Sequence, residues 1–372
     1  MIRWELIKIF KQKSLYFAGI FMFGWLTLVS LTNVWDNDVT RDVYREWQGP
    51  ITQEKIERAD KLRAELENQH SENGYDDKTS ALAGVSNDIT LAHTIQLQNQ
   101  QLAADYTQLS KQAEQKGDQL EKNRMDLAKD MYSNVKVDKI SYYAAPREAI
   151  DFVNVFGLIL TGLFLIIGLS GIYSNEHATG VENYILSTKN GRQVTMKAKL
   201  IASFIFTIIV VVVWEAYNLL MKTALYGTDG WDLPIQFAYK YQASPFSLTF
   251  FEYHLIQLGL HLLAALAFAG VIVVISTLAK SSVLSFFLSG LLYGVPIVAQ
   301  SIMSVDIRWV DRLLTFTLTN IMKVEALYMN FITVNISNYP ILLPYVGVVV
   351  CMVTLVIAVF LSMSLIKRKQ IA

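Results

Sequence analysis

The chain has 372 residues, 53% hydrophobic and only 17% charged, with 32 basic and 32 acidic side chains and a formal net charge of zero. Soluble domains carry about 25% charged residues, so a single soluble globule is excluded, and zero net charge leaves no basic surface for a general nucleic-acid binder. The lone cysteine, Cys351, lies in an apolar run, which excludes an intramolecular disulfide framework or a thiolate zinc site.

A basic amphipathic segment, residues 1–13, leads into an apolar window at 14–34. That window is too long for a cleaved signal peptide and no small-residue cleavage site follows it, so it reads as a first membrane span. A polar excursion comes next: residues 36–151 hold 22 of the 32 acids and 15 of the 32 bases. From Thr52, Ile56, Ala59, Leu62 and Leu66 recur at spacings of three and four, which predicts a helix. The region around Asn73, Gly74 and Gly84 reads as loop. A longer helix is expected over 88–131, with Leu102, Tyr106, Leu109, Ala113, Leu120 and Leu127 on a heptad seam. Together these predict an antiparallel helical hairpin, serving as a spacer, a partner-docking module or a substrate-capture module. His70 and His93 are too isolated for a metal site.

Five further apolar windows follow at 152–173, 200–221, 254–278, 283–303 and 342–366, the fifth of the six spans being interrupted by Pro296. With the N-terminus inside, segments 1–13, 174–199, 279–282 and 367–372 carry twelve bases against Glu5, Glu176 and Glu182. The positive-inside rule therefore places both termini in the cytoplasm. The run 313–336, with Lys323 and Glu325 near its middle, is expected as helices lying at or dipping into the outer surface. The divisions are 1–34 (amphipathic helix and first span), 35–151 (extracytoplasmic helical domain), 152–221 (spans two and three around loop 174–199), 222–303 (outer loop, spans four and five) and 304–372 (outer re-entrant or interfacial helices, span six and a short tail).

Several polar residues fall in or near the spans. Glu215 lies in the third, where a lipid-facing carboxylate is costly. It either faces a helix, a dimer seam or a passage, or it marks the span's outer end. His254, Gln257 and His261, near Glu252, form a polar stripe on the fourth span, a candidate translocation path together with Glu215. Trp231, Tyr239, Tyr241 and Tyr253 read as an outer aromatic belt. In the loop between spans two and three, Val181, Ile185, Tyr184 and Leu186 form an apolar side opposite Glu182 and Asn183, which predicts a short interfacial helix before a turn at Asn190, Gly191 and Arg192.

This layout resembles the permease subunits of ABC-2 type ABC exporters. The resemblance rests on the basic amphipathic start at residues 1–13, six spans, Glu176 and Gly180 after span two, Ile185 and Leu186, the turn base Arg192, and Lys199 leading into span three. It implies an all-α polytopic membrane protein, with six transmembrane helices of ABC-2 exporter type and an inserted extracytoplasmic helical hairpin. It implies a coupling element at Glu176, Gly180, Val181, Glu182, Ile185, Leu186 and Arg192, docked on a separate cytoplasmic ABC ATPase. A second permease copy or a related permease would complete a dimer in a bacterial cell membrane, surrounded by lipids and without nucleic acid. The chain has no GxxxxGK[ST] run, so ATP and Mg belong to the partner ATPase, and this subunit is expected to bind no cofactor and to catalyse nothing itself. The substrate class stays open among peptide, antibiotic, lipid and ion. The large loop between spans one and two departs from the short one of many members. The alternative is a non-transporting membrane scaffold, immunity or sensor protein that uses its outer helical domain to bind a ligand.

Overall fold

The computed structural model describes residues 1–32, 37–68, 76–187, 191–302, 313–336 and 338–369. The expectations placed on His70, Asn73, Gly74 and Asn190 lie outside the described residues. So do the side chains of Ile185 and Leu186.

Among the described residues, six helical stretches are long and apolar enough to cross a membrane: Lys13–Thr32, Ala144–Ala178, Gly191–Tyr226, Phe250–Leu278, Ser282–Gln300 and Leu343–Arg368. The chain is thus a predominantly helical, multi-pass membrane protein. In chain order, α1 (Ile2–Phe10) turns into α2 (Lys13–Thr32). The polar excursion holds α3 (Asn37–Trp47), α4 (Gln53–Asn68), α5 (Asp77–Gln115) and α6 (Gln119–Asn134). Its base is closed by a short antiparallel pairing of β1 (Gly49–Pro50) with β2 (Lys139–Ile140). The second span is one continuous rod of α7 (Ala144–Phe152), a π-helical turn (Val153–Gly157) and α8 (Leu158–Leu169), and it ends in α9 (Ser174–Ala178). Then come α10 (Val181–Ser187), α11 (Gly191–Tyr226), α12 (Phe250–Leu278) and α13 (Ser282–Ile302). Two short helices, α14 (Leu318–Lys323) and α15 (Glu325–Tyr328), precede the hairpin β3 (Thr333–Ile336) and β4 (Tyr339–Leu342) and the last span α16 (Leu343–Arg368).

Helix α12 is the hub, packing against α7, α8, α11, α13, α14 and α16. Its start is fixed by a capping box: Thr249 accepts from the Glu252 amide, and Glu252 accepts from the Thr249 amide. Small residues Ala264, Ala265, Ala267 and Ala269 are fully buried along it and let neighbouring backbones approach. Gly157 serves the same purpose in the second span, since a Cβ there would stand 2.9 Å from the Trp214 ring. By contrast only 11% of the α2 window and 17% of the α13 window are buried within the chain, against 67% for Ala144–Ala178. Those two helices therefore present most of their apolar side chains outward.

The polar excursion differs from the expected hairpin in three places. Gly84 lies inside α5, not in a loop. The helix expected over 88–131 breaks at Lys116 to Asp118, because Gly117 takes a left-handed φ of +71° and Asp118 caps α6 by accepting from the Glu121 amide at 3.0 Å. Leu109 points away from the seam at 44% exposure. Of the expected seam, Tyr106 stacks on Tyr132 of α6 at 5.7 Å and Ala113 is buried; Met125 and Ala128 are buried on α6, and Ser110 donates to Asp126 at 2.6 Å. The expected Ile56, Ala59 and Leu66 face of α4 is buried. Residues 313–336 likewise differ: they form two short helices and a strand, and the β3–β4 pairing was not expected.

Candidate functional site

At the basic end of the bundle, the corner between α8 and α9 is held by a four-residue ionic cluster. Lys199, fully buried on α11, donates to Glu176 Oε1 at 2.7 Å, to Glu5 Oε2 at 2.9 Å and to the Ile172 carbonyl at 2.6 Å. These three bonds use all three ammonium donors. Lys8 donates to Glu5 at 2.9 Å and to Glu176 at 3.0 Å from the surface side. Burial by itself raises the Glu5 carboxyl, but Lys199 and Lys8 outweigh it and hold it below its ordinary value. The second oxygen of Glu176 is buried without a partner. A cavity of about 310 Å³ lined by Glu5, Lys8, Gln12, Asn175 and Glu176 adjoins the cluster.

The next turn is held in the same way. Glu182 of α10 accepts from Tyr173 at 2.7 Å, from Lys369 at the end of α16 at 2.7 Å, and from His177. Its burial is outweighed by these three donors, which keep the carboxyl below its usual range. Arg192 donates to the Lys367 carbonyl at 3.3 Å, so α11 and α16 also meet here. Ser276 of α12 donates to the Ser170 carbonyl at 2.8 Å and accepts from the amides of Tyr173 and Ser174, which fixes the corner to the hub.

Of the expected coupling residues, Glu176 and Glu182 thus point into the bundle and act as anchors. Gly180, between them in the loop, joins the two helices. The space around it is open, and its requirement is conformational, a φ of +72° between α9 and α10. What faces outward on α10 is apolar: Val181 is 45% exposed and Tyr184 78%. Sequence reasoning placed Tyr184 on this face but gave Glu5 no role, although a lone acid in a basic amphipathic helix is a usable signal.

Inside the bundle, two polar groups were expected as one stripe and are separate. Glu215 on α11 accepts from His254 at 2.8 Å and from Asn218 at 3.2 Å. The helix runs on to Tyr226, so Glu215 sits between α11 and α12, well before the helix end. Asn218 also donates to the Ala149 carbonyl at 3.1 Å. Gln257 donates to the adjacent Ile150 carbonyl at 3.0 Å and to Asn154 in the π-turn at 2.8 Å. Three side-chain atoms here are buried without a hydrogen-bond partner: Asn218 Oδ1, Gln257 Oε1 and His254 Nδ1. This group at α7, α11 and α12 is polar and under-satisfied.

His261 belongs to a closed chain. Its Nδ1–H donates to the Met322 carbonyl at 2.9 Å, because a carbonyl can only accept. In the neutral ring Nε2 then accepts from Thr161 at 2.8 Å, and Thr161 accepts from Trp214 Nε1–H at 3.1 Å. Every donor and acceptor of the ring is used, so His261 joins α8, α12 and α14 as a structural tie. Tyr241 and Tyr253 are also corrected: both are fully buried and joined by a 2.6 Å hydrogen bond, not aromatic-belt residues. Tyr239, by contrast, is exposed, and Trp231 packs on the His254 ring at 5.4 Å. Comparison with known protein families, curated proteins and solved structures returned no match.

Proposed function

We propose that this chain is the membrane-spanning permease subunit of an ATP-driven exporter of ABC-2 type, with its polar excursion an inserted extracytoplasmic helical domain. The observation that carries the reading is the α9–α10 corner. Its two carboxylates are spent inward on Lys199, Lys8 and Lys369, while Val181 and Tyr184 stay exposed beside them. A short helix so anchored passes a push on its apolar face to α1, α8, α11 and α16 together. That is the mechanical task of a coupling element, and the face fits an apolar groove of a separate cytoplasmic ATPase, where ATP and Mg are bound. In this reading the end of the bundle that carries Lys8, Arg192, Lys199 and Lys369 is the cytoplasmic one. The largely uncovered α2 and α13 supply surfaces for a second permease, identical or related, and for lipid. The Glu215, His254, Asn218 and Gln257 group, with its unpartnered buried atoms, is the part of the bundle suited to a translocation path.

The test is purification of the tagged chain from its native membrane in a mild detergent, with copurifying proteins identified by mass spectrometry. An ATPase bearing a phosphate-binding loop is expected in stoichiometric amount, and the Val181→Asp, Tyr184→Asp double variant is expected to lose it. A stable membrane complex with no nucleotide-binding subunit overturns the reading.

A further inference from the structure

Away from both groups, a cavity of about 390 Å³ opens where the polar excursion meets the membrane-crossing helices, and its walls include Tyr44, Tyr142, Tyr143, Tyr226, Arg147 and Glu148. Its position follows from the chain path. Ala144 begins one candidate span, Tyr226 ends another, and α3 brings Tyr44 across the opening. The volume lies toward the small end of ligand pockets, which run from roughly 300 to 1,000 Å³. Tyrosines at the end of a span suit a boundary where one side is apolar and the other wet.

Cationic groups border these rings. Arg41 lies over the Tyr142 ring at 5.6 Å, Arg147 over Tyr143 at 5.7 Å and Lys222 over Tyr226 at 5.7 Å. Among the described residues, Asp88 and Glu148 are the carboxylates beside these groups, and Asp151, next along α7, is paired with Lys240 at 3.6 Å. Asp88 is screened behind Tyr44 and Tyr143, which both donate to its Oδ2, at 2.6 and 2.8 Å. Glu148 is shared by Arg147 and Lys222 at 3.5 Å each, the outer limit of a hydrogen bond. Arg147 has five donors in a planar fork and spends one on this long contact, while its side chain is 44% exposed. The Arg41 Nε is buried without an acceptor. Of the residues that line the cavity, Arg147 and Glu148 are the charged pair, while Arg41 and Lys222 stand against the Tyr142 and Tyr226 rings, so cationic groups border aromatic walls and Arg147 keeps guanidinium donors unspent.

We propose that this cavity binds a phosphate ester, with Arg147 as the anion ligand, Lys222 adding positive charge from beside the Tyr226 ring, and the Tyr142 and Tyr226 rings against the ester's organic part. Guanidinium and phosphate match in planar, two-pronged geometry. A lipid headgroup and a soluble phosphate ester share this chemistry. The site stands independently of the permease reading, because its test involves no ATPase.

The full chain in detergent micelles is titrated by calorimetry with glycerol 1-phosphate, with dihexanoylphosphatidylglycerol and with uncharged dihexanoylglycerol. Binding of either phosphate compound below about 1 mM, with none of the uncharged one, is the expected result. Equal affinity for both phosphates identifies a soluble ester as sufficient, and preference for the lipid identifies a headgroup. Arg147→Gln is expected to weaken binding on the order of tenfold, with Arg147→Lys between it and the parent. Glu148→Gln removes the competing carboxylate and is expected to tighten binding, a gain that misfolding cannot mimic. Failure of both phosphates to bind, equal binding of the uncharged compound, or affinities unmoved in both Arg147→Gln and Glu148→Gln overturn the proposal.

Discussion

Lys199 and Glu176 meet at 2.7 Å across the α8–α9 corner, and the lysine is fully buried although it lies among the basic residues that mark this end of the protein. A buried ammonium is tolerated only when every donor is matched, and Glu5, Glu176 and the Ile172 carbonyl supply that match. Lys199→Met should therefore leave two carboxylates poorly compensated and cost about 3–5 kcal/mol. Lys8→Met, on the exposed side of the same cluster, should cost about 0–1 kcal/mol. Thermal unfolding of the two detergent-solubilised variants checks this; equal losses would remove the distinction between them.

The same cluster has a pH signature. The folded-state pKa of Glu5 is depressed below its ordinary 4.5, so its stabilisation is complete above that value. It is lost as pH falls through the lower, folded-state pKa. Glu5→Gln should be less stable at neutral pH and show a flatter acid limb below about pH 4.5. Midpoints measured from pH 7 to pH 3 provide the check.

In the polar excursion, Asp88 behaves oppositely. Burial raises its pKa above the ordinary 3.8, although Tyr44 and Tyr143 donate to it. The native state therefore holds the proton more tightly. This contribution is fully present below 3.8 and is lost as pH rises through the folded pKa. Asp88→Asn keeps an acceptor for the tyrosines and should abolish this dependence at small cost. Asp88→Leu leaves two buried hydroxyls unpaired and should cost about 2–6 kcal/mol, read as a fall in unfolding midpoint.

The α5–α6 contact distinguishes the observed seam from a simple heptad. Leu109→Asp should change stability by less than about 0.5 kcal/mol, because the side chain is exposed. Ala113→Asp, at a buried position on the same helix, should cost several times more. Similar destabilisation by both would restore Leu109 to the interface.

At the α9–α10 corner, Lys369→Gln should free α10 from α16 without disturbing the spans, since Glu182 loses one of three donors. Lys369→Gln should lower the unfolding midpoint of the parent and have no further effect in a Glu182→Gln background, where the ion pair is already absent. Thermal unfolding of both single variants and the double variant in detergent measures the coupling.

The amino-acid sequence by itself determined the class of the protein. Apolar windows of bilayer length are legible because a lipid-crossing helix must satisfy its own backbone and expose apolar side chains, whatever its neighbours are. The α4 face of Ile56, Ala59 and Leu66 was legible for a similar reason, as its spacing repeats within one helix. Where α5 ends was harder, because the heptad continues through Gly117 and Asp118, and a left-handed glycine followed by a cap overrides it. Only the tertiary structure decided the partners of the isolated polar residues. Glu5 and Lys199 are 194 positions apart, and His261 and Thr161 are 100 apart, distances over which one sequence carries no pairing signal. Burial then set their roles: His261, with both ring nitrogens satisfied, is a tie within the bundle, whereas His254, Asn218 and Gln257 each keep a buried polar atom unpartnered. In a low-dielectric interior the cost of an unpaired polar group exceeds any local preference, so the packing of distant helices fixes what each such residue does.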